Sequence, residues 1–244
     1  MIRLSLIIPA HNEEDYLPRL LDTVEIARES YQGDSSAIEV IVVDNMSTDK
    51  TAEIARDRGC TVIEEPKRII AAVRNRGASI ARGEILLFTD ADNWIDPNTF
   101  NAIDQSISSP KVVAGATGVH LERMSLGIAA AYMVMIPMVW ITGMDTGVVF
   151  CRRADFEKIG GYNEARRFAE DVEFLWDLRK LGWKKGQRLV RLRSVKATTS
   201  TRKFDRFGDW HYVGLILVAM ISWLIPKRIV EKMAKEYWYS DQDH

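Results

Sequence analysis

The chain has 244 residues, 47% of them hydrophobic and 27% charged, with a formal net charge of −1. That length suits one large α/β domain whose core needs no cross-links, and near-neutrality removes any bulk attraction to nucleic acid or to an anionic surface. Cys60 and Cys151 each sit in an apolar run and read as two reduced, buried thiols, too few for a zinc site or a disulfide framework. The apolar opening from Ile2 to Pro9 is too short for the hydrophobic region of a signal peptide, so a cytoplasmic protein is expected.

Leu4 to Ile8 predicts a strand ending at Pro9. Asn12 to Arg28 predicts a helix with Glu13, Glu14 and Asp15 in its first turn, where acids favour the helix dipole. Ile38 to Val43 is a continuous apolar strand broken only by Glu39. Ser47, Thr48 and Asp49 then supply caps for a helix carrying Ala52, Ile54 and Ala55. Thr61 to Ile63 is a third strand, Ala71 to Ala81 a third helix and Ile85 to Thr89 a fourth strand. Alternation at this spacing implies right-handed crossovers and a parallel sheet covered on both faces. In such sheets ligands bind beyond the carboxyl ends of the strands, which directs attention to residues 9–14, 44–49 and 90–93.

Past Pro97 the pattern loosens. Val112 to Ala116 and Thr146 to Cys151 are further strands. The run from Ser125 to Met144 carries no charge, but Gly127, Pro137 and Gly143 interrupt it. It reads as a buried or partly exposed helix rather than a spanning one, with membrane contact or a dimer surface as the alternative. Val213 to Ile225 is apolar and is followed by Pro226-Lys227-Arg228. The helix from Ile229 to Tyr239 ends in Tyr237-Trp238-Tyr239. A membrane interface and packing on the catalytic domain both remain open for this tail. The expected organisation is one domain over residues 1–205, in halves 1–95 and 96–205, with a helical extension over 206–244.

Asp90-Ala91-Asp92 follows a buried strand. Residues two apart at a strand end point the same way, so both carboxylates can face one spot and suit Mg²⁺ or Mn²⁺; a pair of loop acids or a helix cap is the bland alternative. Asp44 ends the second strand where three other caps are already at hand, which turns it toward a ligand. Arg74 stands among Ala71, Ala72, Gly77 and Ala78, where small residues allow close approach and a forked donor could reach a diphosphate. Glu170-Asp171 opens a helical pattern; capping and catalysis are equally good readings of its spacing. Ser200 to Lys203 reads as a basic loop.

Together these segments resemble family 2 glycosyltransferases. Ile7-Ile8-Pro9-Ala10-His11-Asn12-Glu13-Glu14 is similar to their opening motif, and Val43-Asp44-Asn45 with Ser47-Thr48-Asp49 to their base-binding motif. Arg74-Asn75-x-Gly77 and Gly83-Glu84-Ile85, running into Asp90-Ala91-Asp92, resemble the third. Gly160-Gly161-Tyr162-Asn163-Glu164 with Glu170-Asp171 resembles the acceptor-side signature. The resemblance spans about residues 3 to 180.

It implies a GT-A fold: a Rossmann-like, mostly parallel sheet flanked by helices. It also implies inverting transfer from a nucleotide-diphosphate sugar, UDP- or GDP-linked. Donor contacts would come from Pro9, Ala10, Asn12, Glu13, Asp44, Arg74, Asp90 and Ala91. Asp92 with Asp90 would hold Mn²⁺ or Mg²⁺, and His211 is a candidate third ligand. Asp171 would be the catalytic base, with Gly161 and Glu170 on the acceptor side. No Gln-x-x-Arg-Trp motif follows, which argues for transfer of a single sugar rather than polymerisation. The apolar stretches hint at a lipid-linked acceptor, a peripheral site on the inner membrane face, or a homodimer. Two rivals stand beside this reading. A sugar nucleotidyltransferase would want a glycine-rich loop where Pro9-Ala10-His11-Asn12-Glu13 stands. A non-catalytic, membrane-associated binding module would have no use for Asp90, Asp92 and Asp171.

Overall fold

In the computed structural model, residues 1–133, 145–165 and 170–210 are described. Strand β1 (Leu4–Ala10) is buried along its whole length. It pairs in parallel with β2 (Ile38–Asp44) on one side and β4 (Ile85–Phe88) on the other. Strand β3 (Thr61–Glu64) extends the parallel set beyond β2. Past β4 the pairing turns antiparallel: β7 (Val149–Arg152) lies on β4, and β6 (Val112–Leu121) on β7. Strand β8 (Arg188–Thr199) and the short β5 (Asn93–Trp94) complete the order β3-β2-β1-β4-β7-β6-β8-β5.

Strand periodicity sorts the apolar residues into two cores. Leu4, Leu6, Ile8, Val40, Val42, Ile85 and Leu87 face one way. There they meet α1 (Leu17–Glu29) through Leu17, Leu20 and Val24, and α4 (Thr99–Ile107) through Phe100, Ile103 and Ile107. Ile7, Ile41, Val43, Leu86 and Phe88 face the other way. They meet α3 (Ile70–Ile80) and α6 (Glu170–Lys185), the latter through Phe174, Leu175 and Leu178. Helices α2 (Thr51–Asp57) and α5 (Arg153–Ile159) complete the set around this sheet. Glu39, near the start of β2, is buried, but Ser5 and Arg82 satisfy it: Ser5 donates to Oε1 at 2.6 Å and Arg82 Nε to Oε2 at 2.8 Å.

Pro9 does not end β1. The Ile7 carbonyl accepts from Thr89 on the β4 side, and the Ala10 carbonyl accepts from Asn45 on the β2 side. Pro9, two residues after Ile7, therefore directs its missing N–H past the end of β4, where no ladder partner stands. Helix α1 starts at Leu17 rather than Asn12, because residues 12–16 form a separate turn. Strand β6 runs further than the sequence pattern suggests, and that pattern shows neither β8 nor α4. Ser200 to Lys203 is not a loop throughout, since α7 (Arg202–Phe207) begins at Arg202.

The chain divides into two compact units, residues 1–120 with 143–199, and residues 121–142 with 200–244. In the second unit residues 126–133 are helical. Residues 134–144, His211, the apolar run 213–225 and the tail 229–239 lie outside the described residues. Among the described residues no helix is long and apolar enough to cross a membrane.

Helix α3 lies directly on the sheet because of Gly77. A Cβ there would stand 2.4 Å from Ile7 Cγ2 and 2.8 Å from Val43 Cγ2, both fully buried. Gly77→Ala is therefore expected to destabilise the protein by about 1–3 kcal/mol despite the better helix propensity of alanine. Urea unfolding checks this; a neutral or stabilising result would contradict such close packing.

Candidate active site

The loops after β1 and β2 are joined into one ledge at the carboxyl edge of the sheet. The Asn12 amide donates to Ser47 Oγ at 3.0 Å, and Asn12 Oδ1 accepts from the Thr48 amide at 2.8 Å. The Glu13 amide donates to Thr51 Oγ1 at 2.7 Å, and the Glu14 amide to Asp49 Oδ2 at 3.1 Å. Asn12 and Met46 both adopt left-handed backbone, with φ of 52° and 60°. Non-glycine residues pay a strain cost there that persists where surrounding structure enforces it. Asn45 reaches the other way, donating through Nδ2 to the carbonyls of Glu65 and Lys67 at 2.5 and 2.9 Å.

The expected caps are used only in part as the sequence reading has them. Asp49 accepts from the Thr51 amide at the start of α2 at 2.9 Å while its other oxygen binds the first loop, Ser47 binds the first loop, and buried Asp44 takes the Ser47 amide at 3.3 Å. That contact occupies one of roughly four acceptor positions on the carboxylate. Ala10 is buried at the end of β1, beside Pro9, which is also buried, so what these two offer a ligand is shape and main chain.

Arg74 is the centre of the second group. It projects from α3 and is only 4% exposed. Nη2 donates to Asp90 Oδ1 at 2.8 Å, and Nη1 donates to Glu170 Oε1 at 2.7 Å. Asp171 Oδ1 lies 2.9 Å from Nη1, close enough for an ion pair, yet it makes no hydrogen bond. The guanidinium carbon also stands 5.3 Å from the centre of the Tyr162 ring. One buried cation therefore faces three carboxylates and an aromatic face. The Arg74 found here organises acids on both sides of the site, a different arrangement from a free fork waiting for phosphate.

Burial raises the Asp171 carboxyl to about 7 against the pull of Arg74, and the charges of Glu170 and Asp90 push it the same way. Burial, then the Asp171 charge, raises the Tyr162 phenol well above its ordinary value, and its hydroxyl also lacks a partner. Burial disfavours the charged form of Arg74, but Asp171 and Asp90 outweigh it and hold the guanidinium firmly protonated. Asp171 keeps 19% of its side chain exposed, so it is reachable from solvent.

Asp90, Ala91 and Asp92 do not continue β4, which stops at Phe88. They form a turn closed by the Asn93 amide on the Asp90 carbonyl at 3.2 Å, so strand alternation cannot be what aligns the two acids. Ala91 is buried, Asp92 is partly exposed, and the Asp90 side chain is 51% exposed. No group of three or more His, Cys, Asp or Glu able to hold a metal is found among the described residues. Two carboxylates in an open turn fit Mg²⁺ or Mn²⁺, whose remaining positions are taken by water and substrate phosphate rather than by a protein cage.

In the segment expected on the acceptor side, Gly160 ends α5 in the left-handed conformation and Gly161 repeats it, with φ of 84° and 74°. The pair makes a tight turn that delivers Tyr162 into a cluster with Phe88, Phe156 and Phe174. Tyr162 and Phe174 stack at 4.0 Å between ring centres. The motif that contains Asn75 assigns it no role. Its carboxamide binds both main-chain polar groups of Tyr162. Two adjacent polar residues on the inner side of a helix were the available signal.

A mixed α/β sheet with acids at the carboxyl edge of its parallel half is the architecture of a GT-A glycosyltransferase. The glycosyl transferase family 2 profile matches residues 5–128, just over half of the chain, and the chain belongs to that family. A dolichyl-phosphate beta-glucosyltransferase of Drosophila melanogaster is 25% identical over 240 residues, covering 87% of this chain and 72% of the relative. The putative glycosyltransferase EpsH of Bacillus subtilis is 32% identical over 99 residues, 38% of this chain and 27% of its own. The chain spans less than half the length of several curated relatives that it matches. Among solved structures, the mannosyltransferase PcManGT from Pyrobaculum calidifontis, in complex with GDP-Man and Mn²⁺, shares the fold. Its TM-score is 0.68 at 21% identity, over 97% of this chain and 70% of that one.

The crowded acids should be visible in stability. Asp171 has a folded-state pKa raised from 3.8 to about 7. Its contribution is fully present below the lower value and is lost as pH rises through the upper one. Asp171→Asn should therefore match wild type near pH 4, gain on it between pH 4 and 7, and stay a few degrees higher in Tm at pH 8. Thermal unfolding across this range checks the sign; a variant less stable at pH 8 than at pH 5, relative to wild type, would contradict it.

Proposed function

We propose that the protein transfers a single sugar from a UDP- or GDP-sugar to an acceptor hydroxyl with inversion at the anomeric carbon. The observation that carries this reading is the Asp171 carboxyl, whose buried oxygen Oδ1 lacks a hydrogen-bond partner beside Arg74 and whose proton affinity is raised to about 7. A group poised near neutral pH and still reachable from solvent suits a general base. Asp171 takes the acceptor proton as the acceptor oxygen bonds to the anomeric carbon. The bond from that carbon to the diphosphate oxygen breaks, and the nucleoside diphosphate leaves with the electron pair.

Asp44 and the main chain from Pro9 to Glu13 would receive base and ribose. Asp90 and Asp92 would hold Mn²⁺ or Mg²⁺, which supplies positive charge to the departing diphosphate. Solved structures of the same fold hold UDP, UDP-GlcNAc, or GDP-Man with Mn²⁺, which supports that donor class and a divalent metal. Arg74, held between Asp90 and the acceptor-side acids, keeps the base facing the donor. Glu170 and Gly161 would shape the acceptor side.

A lipid-linked acceptor presented at a membrane surface is part of the same proposal. Relatives named for dolichyl phosphate support it. So does the outer face of α6, where Val172, Trp176 and Trp183 are 39–60% exposed and Arg179 lies 5.5–5.6 Å from both indole rings. Aromatic and cationic side chains together on one helix face suit a lipid–water interface.

Two measurements test the chemistry. Asp171→Asn should bind donor nucleotide within about twofold of wild type and lose roughly 10²–10⁴-fold in kcat, the usual worth of a general base. Full turnover by that variant would remove Asp171 from the mechanism. The product anomer, read by NMR, should be inverted relative to the donor, and a retained anomer would exclude single displacement.

A further inference from the structure

Arg74 and Asn75 are consecutive on α3, and each grips a different part of the acceptor-side chain. Arg74 holds Glu170 and Asp171 at the start of α6. Asn75 holds the turn before it: the Tyr162 amide donates to Asn75 Oδ1 at 2.9 Å, and Asn75 Nδ2 donates to the Tyr162 carbonyl at 2.9 Å and to Glu164 Oε1 at 3.2 Å. The carboxamide thus replaces a strand partner for one residue, satisfying both of its main-chain polar groups. Gly161 makes room for it. A Cβ at Gly161 would lie 2.7 Å from Asn75 Oδ1, and its φ of 74° disfavours any other residue.

What Asn75 fixes is the residue against which the acids are set. The Tyr162 ring stacks on Phe174, one turn beyond Glu170 and Asp171 in α6, at 4.0 Å and 12°. The same ring lies under the Arg74 guanidinium. Shifting the Tyr162 backbone would therefore move both the helix that carries Asp171 and the cation that faces it. The Glu164 carboxylate also pairs with Lys67 at 2.9 Å, and the Lys67 carbonyl is held by Asn45 at the end of β2. That ion pair is exposed and contributes little energy, but it continues the connection from the acceptor-side turn to the donor-side loop.

We propose that Asn75 is a positioning residue that sets the geometry of Asp171 through Tyr162. This rests on the transferase reading, since it assigns Asn75 to the placement of that reaction's base. The test uses the full chain with UDP-glucose, UDP-GlcNAc and GDP-mannose as probes, water standing in for the acceptor hydroxyl, and nucleotide release on donor hydrolysis as the signal. Asn75→Ala should keep the donor KM within about twofold and lower kcat by roughly tenfold or more, as expected when a reacting group is displaced by a fraction of an ångström. Asn75→Asp should do the same, because it loses both donated hydrogen bonds and places a charge beside Glu164. Adding Glu164→Gln to Asn75→Asp reverses donor and acceptor across that contact and should recover part of kcat.

Asn101→Ala is the control for general structural cost. Asn101 makes a comparable pair of main-chain contacts, with Gln32 and Ser30, at 2.8 Å each. It should lower Tm and leave kcat unchanged. In parallel, hydrogen exchange without ligand should speed up at the Tyr162 amide and in the first turn of α6 for Asn75→Ala, and stay unchanged in β1 and β2. Unchanged kcat, unchanged exchange in α6, or equal loss in Asn101→Ala would each overturn the assignment. No nucleotide release from any donor by the wild type would instead sink the transferase reading. In that case unchanged α6 exchange would also dispose of the clamp, while faster α6 exchange would uphold it as the support of the acid pair.

Discussion

One buried guanidinium holds this site together. Arg74 sits where water cannot solvate it, and burial of an unpaired charge at such a position is prohibitive. Its stability there comes from Asp90 on one side and Glu170 and Asp171 on the other. Asp90 and the Glu170–Asp171 pair are far apart in sequence, and the shared cation is what makes them one unit. The arrangement is also overloaded, since three carboxylates compete for a single positive charge. Burial first, and then the charges of Glu170 and Asp90, raise the proton affinity of Asp171 against the pull of Arg74.

The fold explains why these groups meet. The parallel half of the sheet places its carboxyl ends along one edge, so the loops after β1, β2 and β4 gather there. The antiparallel strands that follow bring α5 and α6 against the other side of the same core. Gly77 lets α3 settle onto β1 and β2, and that close seat puts Arg74 and Asn75 within reach of both halves. Left-handed backbone at Asn12 and Met46 adds strain at the same edge, enforced by hydrogen bonds between the two loops. That strain lies beside the proposed donor site.

The sequence revealed the parallel half well, because continuous apolar strands and amphipathic helices of ordinary length carry strong periodic signals. It revealed the acid positions through motif order. It did not reveal what those acids touch. Asp44 reads as a ligand-facing acid because other caps stand nearby; Asp49 does accept from the Thr51 amide at the start of α2, whereas Ser47 binds the first loop and Asp44 accepts from the Ser47 amide. Arg74 read as a phosphate grip because its partners, Glu170 and Asp171, lie about a hundred residues away and no local pattern joins them. Strand β8 is hidden in the sequence because Arg188, Arg191, Arg193 and Lys196 fall on both of its alternating faces and break the period-two signal. Asn75 had no signal beyond its neighbour, since a carboxamide that clamps a distant backbone resembles any other polar residue on a helix.

The central claim is that Arg74 is the counter-charge that allows acids from two parts of the chain to coexist. Urea unfolding of Arg74→Met at pH 8 and pH 5 tests it most directly. Loss of a buried ion-pair partner should cost about 3–5 kcal/mol at pH 8. The cost should be clearly smaller at pH 5, where Asp171 takes up a proton and the repulsion among the three acids falls. An equal loss at both pH values, or no loss at either, would contradict the account.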